Sequence, residues 1–418
     1  MPALPDLLYL THRLPYPPNK GDKIRSYHTL RYLSRHFRVH LGCLVDDPAD
    51  LDHADTVRAL CAGSCFVSRS HGAARLASLR GLVTGQALSL PYFRHRQLQR
   101  WVDDVLRNHA IEQALVFSAP MAQYLRPASA KLRQLIDFVD VDSEKWLQYS
   151  SVVRWPLSLL YRREAQRLLA YERAICRDSA AVTFVSAAEA ALFGRRAPEA
   201  GHKLAHFNNG VDADYFSPLA WHPTPYGDGC TALVFTGAMD YRPNSDAVHW
   251  FASCVLPLLR RRFPELLFYI VGARPDARVR SLASRPGVVI TGTVPDVRPY
   301  LQHAVMVVAP LRIARGVQNK VLEAMAMQKL VVASPQALEG ISAVPALEVL
   351  VADGADAFVQ QISAQLRGKA NRSIGQAARQ RVLRDYSWDH NLGRLGSMLG
   401  LASASATAPP PASRICKR

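Results

Sequence analysis

The chain is short of acid: Asp and Glu number 34 against 51 Lys and Arg, a formal net charge of +17 over 418 residues. That imbalance favours anionic partners such as nucleotide diphosphates, lipid headgroups or nucleic acid. The last of these lacks support, because the basic residues are dispersed and no helix-turn-helix signal, zinc-finger spacing or RNP-type aromatic run occurs. No nucleic-acid partner is expected. Neither a GxGxxG dinucleotide fingerprint nor a Walker A loop is present, which weakens dehydrogenase and kinase readings. No apolar run is long enough to span a bilayer. The opening residues lead into Leu7-Leu8-Tyr9-Leu10 without a basic n-region, long apolar core or cleavage site, so a cytoplasmic location is expected. The seven cysteines form no CxxC pair, and an odd count argues against a disulfide framework. Cys61 and Cys65 have no companion pair, so no zinc site is expected.

Short apolar runs alternating with helical patterns are what the chain has instead. The first series is Leu7 to Leu10, Val39 to Val45, Ala114 to Phe117, Leu135 to Val139 and Ala181 to Val185. A second runs Leu233 to Phe235, Leu267 to Val271, Val288 to Thr291, Val305 to Ala309, Leu330 to Ala333 and Val349 to Val351. Such alternation predicts parallel sheets flanked by helices, here as two doubly wound α/β domains. The Pro- and Gly-rich stretch between the series, 217–230, reads as a linker and hinge. The expected division is 1–216, linker 217–230, 231–385, a last helix at 386–401, and an Ala/Ser/Pro-rich tail at 402–418 expected to be disordered. Ligands of open α/β sheets bind beyond the carboxyl ends of the strands, so two such domains imply a cleft.

The most informative segment is Arg315-Gly316-Val317-Gln318-Asn319-Lys320-Val321-Leu322-Glu323-Ala324-Met325-Ala326. A glycine-containing loop enters a helix of strong helix formers, so free amides and the neighbouring Lys320 and Glu323 face whatever binds there. An anion carrying hydroxyl groups, such as a nucleotide sugar, suits that mixture. The loop from Gly237 to Pro243 has a similar build: Gly237 allows close backbone approach, Arg242 offers a cation, and Asn244 reads as the N-cap of a helix with Val248, Phe251, Val255 and Leu258 on its apolar face. A capped turn with a surface arginine is the plainer reading of that loop.

The Arg315 to Met327 segment resembles the donor-binding signature of family 4 glycosyltransferases, which have two Rossmann-like domains facing a central cleft, the GT-B fold. Thr236 to Asn244, Tyr269 to Gly272, Gly292 to Val297 and Asn209 to Asp212 also match. Together they look like the sugar transferases of PEP-CTERM/exosortase-linked exopolysaccharide clusters. The resemblance implies transfer from a nucleotide diphosphate sugar to a lipid-linked glycan, with retention of configuration and neither cofactor nor metal. It assigns Gly237, Arg242, Arg315, Gly316, Lys320 and Glu323 to the donor, with Glu323 holding the ribose. Arg315 stands where the family carries a first glutamate, so either it binds phosphate, or the donor sugar is acidic, or the alignment is shifted there. A nucleotide-sugar epimerase of the same fold and a non-catalytic binding protein remain open alternatives.

In the first half, the loop carrying Lys20, Gly21 and Arg25 follows the first strand and is the expected phosphate or acceptor loop, with His12 orienting an acceptor hydroxyl. Asp140, Asp142 and Glu144 follow another strand and are the candidates for a catalytic base. From Trp146 to Arg177, Trp146, Tyr149, Trp155 and Tyr161 interleave with Arg154, Arg162, Arg163 and Arg167, which suits peripheral contact with an anionic membrane surface. A long helix packed on its own sheet is the plainer alternative.

Overall fold

A computed structural model of the protein describes residues 4–18, 20–125, 132–314, 317–368 and 372–401. The first sheet contains β1 (Asp6–Thr11), β2 (Arg38–Val45), β3 (Gly63–Ser68), β4 (Gln113–Phe117), β5 (Arg133–Val139), β6 (Ala181–Phe184) and β7 (Leu204–His206). Its order is β3-β2-β1-β4-β5-β6-β7, and every pairing is parallel. The second contains β8 (Thr231–Thr236), β9 (Leu266–Val271), β10 (Val288–Gly292), β11 (Met306–Ala309), β12 (Val331–Ala333) and β13 (Leu350–Val351). Its order, β10-β9-β8-β11-β12-β13, is again wholly parallel. Strand order reverses between β1 and β4 in one sheet and between β8 and β11 in the other. Those two switch points are where crevices open at the carboxyl ends.

The central strands are buried on both faces: Leu7 to Leu10 and Ala232 to Phe235 are solvent-free, as parallel sheets covered by helices require. Each sheet nucleates its own core. That of the second sheet joins Phe235, Phe251, Phe268 and Phe358. That of the first is split by the sheet into two layers, one holding Phe138, Phe184 and Phe193, the other Tyr9, Leu30 and Phe117. The second layer also takes Trp388, Leu392, Leu395 and Leu399, so the Trp388–Met398 helix crosses from the second domain to the first.

The chain therefore passes between domains twice. At the crossings Val211 N–H donates to Tyr386 O (2.8 Å), and a Cβ on Gly210 would sit 2.8 Å from Trp388. The expected hinge at 217–230 is corrected by these contacts. His222 N–H donates to Gln302, Gln302 donates to Ala220 O, and the Tyr226 hydroxyl donates to Tyr300 O. Those three hydrogen bonds tie that stretch to the second domain, which leaves Asn209 to Val211 and Tyr386 to Trp388 as the joint.

Two local readings also change. Tyr241, not Asn244, is the N-cap of the Arg242–Trp250 helix, because Pro243 belongs in a helix's first turn, where its missing N–H costs nothing. The helix continues into a π-turn over Phe251–Val255 just before Pro257. That turn rotates the apolar face, so Leu256 and Leu259 are buried while Leu258 is partly exposed.

Candidate functional site

On the second sheet, β8 ends in Thr236 and the chain turns at Gly237, whose φ of 153° is open to glycine. Gly272, at the end of neighbouring β9, has a φ of 155°, and a Cβ there would fall 1.7 Å from Gly237 O. No other residue fits, so two glycines set the floor of the turn. Asn244 braces it from above: its Nδ2 donates to Ala238 O (2.9 Å), and its Oδ1 accepts from Lys320 Nζ (2.7 Å). Lys320 lies on the Asn319–Ala326 helix, with its ammonium 5.3 Å from the centroid of Phe235.

Glu323 is one turn along the same helix, whose other face buries Val321, Leu322 and Met325. Both charged side chains are half-buried, and burial moves each toward its neutral form. It lowers Lys320 to about 8 against the pull of Glu323, and raises Glu323 to about 7 against the pull of Lys320. Thr236 Oγ1 and Asn319 Oδ1, at the same edge, are buried without a hydrogen-bond partner among the described residues. Poorly compensated charges beside unpartnered polar atoms mark a place suited to a polar ligand. Arg242 is exposed at the first position of its helix. Arg315 and Gly316 lie outside the described residues.

On the first sheet, a cavity of about 410 Å³ opens beyond β1, β4 and β5, lined among others by His12, Ser118, Asp140, Asp142, Lys145 and Trp146. His12 stacks on Phe117, centroids 5.7 Å apart, and its Nε2 lies 3.2 Å from Asp22 Oδ2. Its Nδ1 is buried without a partner among the described residues. Asp22 also receives Arg13 Nη1 (2.5 Å); burial would raise its pKa, but His12 and Arg13 outweigh that and hold the carboxyl well below the usual range. Two non-glycine residues on the cavity wall are left-handed, Ser118 at φ 78° and Val139 at φ 70°. Asp140 N–H donates back to Phe138 O (2.9 Å), an i to i+2 bond closing a γ-turn about Val139. Each left-handed residue costs about 1–3 kcal/mol, and such strain concentrates at functional sites.

That turn aims Asp140 at Lys145, whose Nζ donates to Asp140 Oδ2 (2.8 Å) and Asp142 Oδ1 (3.1 Å). Burial alone would lower the lysine's pKa, but the two carboxylates raise it far above its ordinary value. The Asp-Val-Asp pair thus closes on an ammonium. Among the described residues, one set has the ligand spacing for a metal, Asp6, His40 and His109, at the amino end of β1 and away from the cleft. Asp6 there already accepts from His40 Nε2 at 2.8 Å.

Two expected site residues are placed elsewhere. Arg25 does not face a phosphate: it is fully buried, forked onto Asp137 (2.7 and 3.0 Å), and bonded to Phe207 O and Asn209 Oδ1. Glu144 turns from the cavity to pair with Arg196 (2.6 Å). Lys20 is exposed as N-cap of the Gly21–Leu33 helix, and Gly21 has open space where a Cβ would stand. The aromatic set divides as well. Trp146 and Tyr161 pack on one another, centroids 5.0 Å apart, whereas Trp155 is 75% exposed.

The two sites face each other. Asp240 and Tyr241, in the turn after Gly237, feel charges of the first domain: Lys20 acts on Asp240, and Asp140 and Lys145 act on Tyr241. Asp22 and Lys145 were not singled out by the sequence, while Asn244 was read only as a helix cap and Gly272 only as the end of a matching segment. Gly272 had a signal, a glycine directly after an apolar strand; the others are defined by partners distant in the chain.

Residues 230–367 match the family model described as Glycosyl transferases group 1. No curated protein matches the chain significantly. Among solved structures it is similar to a sucrose-phosphate synthase from Thermosynechococcus elongatus, with a TM-score of 0.68 and 16% identity over 95% of this chain and 98% of that one. It is also similar to HepE from Anabaena in complex with UDP, TM-score 0.63 and 11% identity over 96% and 100%. A third is WaaG, a glycosyltransferase involved in lipopolysaccharide biosynthesis, TM-score 0.64 and 14% identity over 94% and 100%. The fold is GT-B, two Rossmann-like domains facing a cleft.

Proposed function

We propose that the chain is a glycosyltransferase of hexosyltransferase type, moving a sugar from a nucleotide diphosphate sugar to a lipid-linked saccharide in exopolysaccharide assembly. The observation that carries the reading is the half-buried Lys320 and Glu323 beside the Gly237–Gly272 floor, at the carboxyl edge of the domain that matches the group 1 model. In this reading the Glu323 carboxylate accepts both ribose hydroxyl protons, and Lys320 with the turn amides holds the diphosphate. The acceptor occupies the cavity at His12, where the buried, unpartnered Nδ1 is placed to take a hydrogen bond from a hydroxyl while Asp22 fixes the ring through Nε2. Lys145, held by Asp140 and Asp142, supplies a fixed cation on the acceptor side.

Retention, independence of metal, the exopolysaccharide setting of the PEP-CTERM/exosortase type and a peripheral position on the cytoplasmic membrane face rest on the sequence resemblance. The test is a library of nucleotide diphosphate sugars scored for release of nucleoside diphosphate, with and without saccharide acceptor and with a chelator. Release that needs both donor and acceptor, persists in chelator and disappears in Glu323→Ala is the expected result. Interconversion of the donor without any acceptor would instead identify an epimerase, and donor binding without turnover a binding protein.

A further inference from the structure

The helical segments His71–Ser78 and Arg80–Thr84 turn their small residues, Ala74 and Gly81, inward and their large apolar ones outward. Leu76, Leu79 and Val83, at helical spacing, are 72%, 52% and 90% exposed. That is amphipathicity with the apolar stripe facing solvent, the reverse of a helix packed on its own core. A second apolar group lies beside it. Trp155, Leu157 and Leu159 are exposed at the start of the Leu157–Asp178 helix, and Arg163, one turn after Leu159, donates to Gly81 O (2.7 Å) and Gln86 O (3.2 Å). The two groups thus form one face, stitched together by an arginine.

The two segments that build that face carry charge of one sign. No Asp or Glu occurs from residue 56 to 102, nor from 145 to 163, whereas Arg75, Arg80, Arg154 and Arg162 are exposed there. The first acid to follow, Glu164, is turned inward and accepts from the Leu88 and Ser89 amides and the Ser89 hydroxyl. Leu168, on the same Leu157–Asp178 helix, also lines the His12 cavity, so the face and the cavity share that helix.

We propose that this face, built chiefly by 71–84 and joined by Trp155 to Leu159, seats the protein on an anionic lipid bilayer, with the apolar side chains among the acyl chains and the arginines at the phosphates. Exposed apolar side chains interleaved with arginines on acid-free segments complement an anionic interface; a second copy of the same basic face would repel it. The inference deepens the reading of the acceptor as lipid-linked, because it sets the acceptor cavity beside the bilayer.

The test is flotation of the full chain with phosphatidylcholine vesicles, with and without phosphatidylglycerol, in low and high salt. Binding to the anionic vesicles alone, weakened by salt, is expected. Combined Leu76→Ser, Leu79→Ser and Val83→Ser should lower the partition coefficient at least about tenfold. A control exchanging Leu219 and Trp221 for serine, 90% and 80% exposed in the stretch tied to the second domain, should float as wild type. Circular dichroism and thermal unfolding serve as the fold check for every variant, and UDP binding is measured on wild type. If wild type does not float, or the triple variant floats unchanged, the inference is overturned. It is also overturned if sedimentation shows a dimer that the triple variant dissolves without any change in vesicle binding. Failure of wild type to bind UDP with flotation intact would count against the donor reading and leave this one standing.

Discussion

The carboxyl ends of the two sheets are built on the same strand topology, yet they treat charge in opposite ways. On the first domain the charged groups are committed to one another: Arg25 to Asp137, Arg13 to Asp22 and Asp46, and Lys145 to Asp140 and Asp142. On the second, Lys320 and Glu323 are moved by burial toward neutrality, and Thr236 and Asn319 hold oxygens without a partner among the described residues. A site whose charges are already paired has less to gain from a charged ligand and is suited to positioning a hydroxyl. A site whose charges are poorly compensated gains when a ligand supplies partners, suited to a diphosphate and a ribose. Shared architecture thus leaves chemistry to the side chains at each edge.

The largest effect should come from breaking a committed pair. Arg25→Met leaves Asp137 buried with only Thr183 Oγ1 (3.0 Å) among its present side-chain partners, and should cost about 3–5 kcal/mol. Calorimetric unfolding should show it as a lowered transition for the first domain. Next is the glycine floor. In Gly272→Ala the new methyl meets Gly237 O, so the turn must move, at a cost of about 1–3 kcal/mol together with a loss of nucleotide affinity. Denaturation and nucleotide titration of the same sample check both. Smaller in stability is Glu323→Gln, which removes a raised carboxyl and should leave unfolding nearly unchanged while weakening nucleotide binding by about 1.5–3 kcal/mol.

The smallest effect is one of pH. The folded Glu323 pKa, about 7, lies above its ordinary value, so the stability its protonated form contributes is fully present in acid and lost as pH rises through 7. A ribose-binding carboxylate must be ionised, so nucleotide affinity should rise across that window. Lys320, lowered to about 8, should lose its charge above that pH and let affinity fall. A maximum between 7 and 8 is expected in titrations across pH. Glu323→Gln should remove the acid limb alone.

How much of this was legible follows from the reach of each interaction. Central strands such as β1 and β8 showed as apolar runs because both faces are covered. β3 and β7 did not: they are the two edges of their sheet, Gly63–Ser68 is mixed in polarity, and Leu204–His206 is three residues long. Lys320, Glu323 and Gly237 could be found because a loop, its helix and its glycine are local features. Arg25 could not be excluded, since a basic residue in a glycine loop looks like a phosphate ligand until Asp137, 112 residues later in sequence, closes on it. Asp140 and Asp142 were visible as a pair, while the lysine between them and the strained Val139 that aims them are properties of the folded chain.

The central claim is that the donor nucleotide is held by the edge of the second sheet, and calorimetric titration of UDP into wild type, Lys320→Ala, Glu323→Gln and the cavity variant His12→Ala tests it most directly. The account predicts that both second-domain substitutions weaken binding at least about tenfold, as loss of a charge-assisted bond would, while His12→Ala binds UDP as wild type does. Unchanged affinity in Lys320→Ala and Glu323→Gln, or a loss confined to His12→Ala, would contradict it.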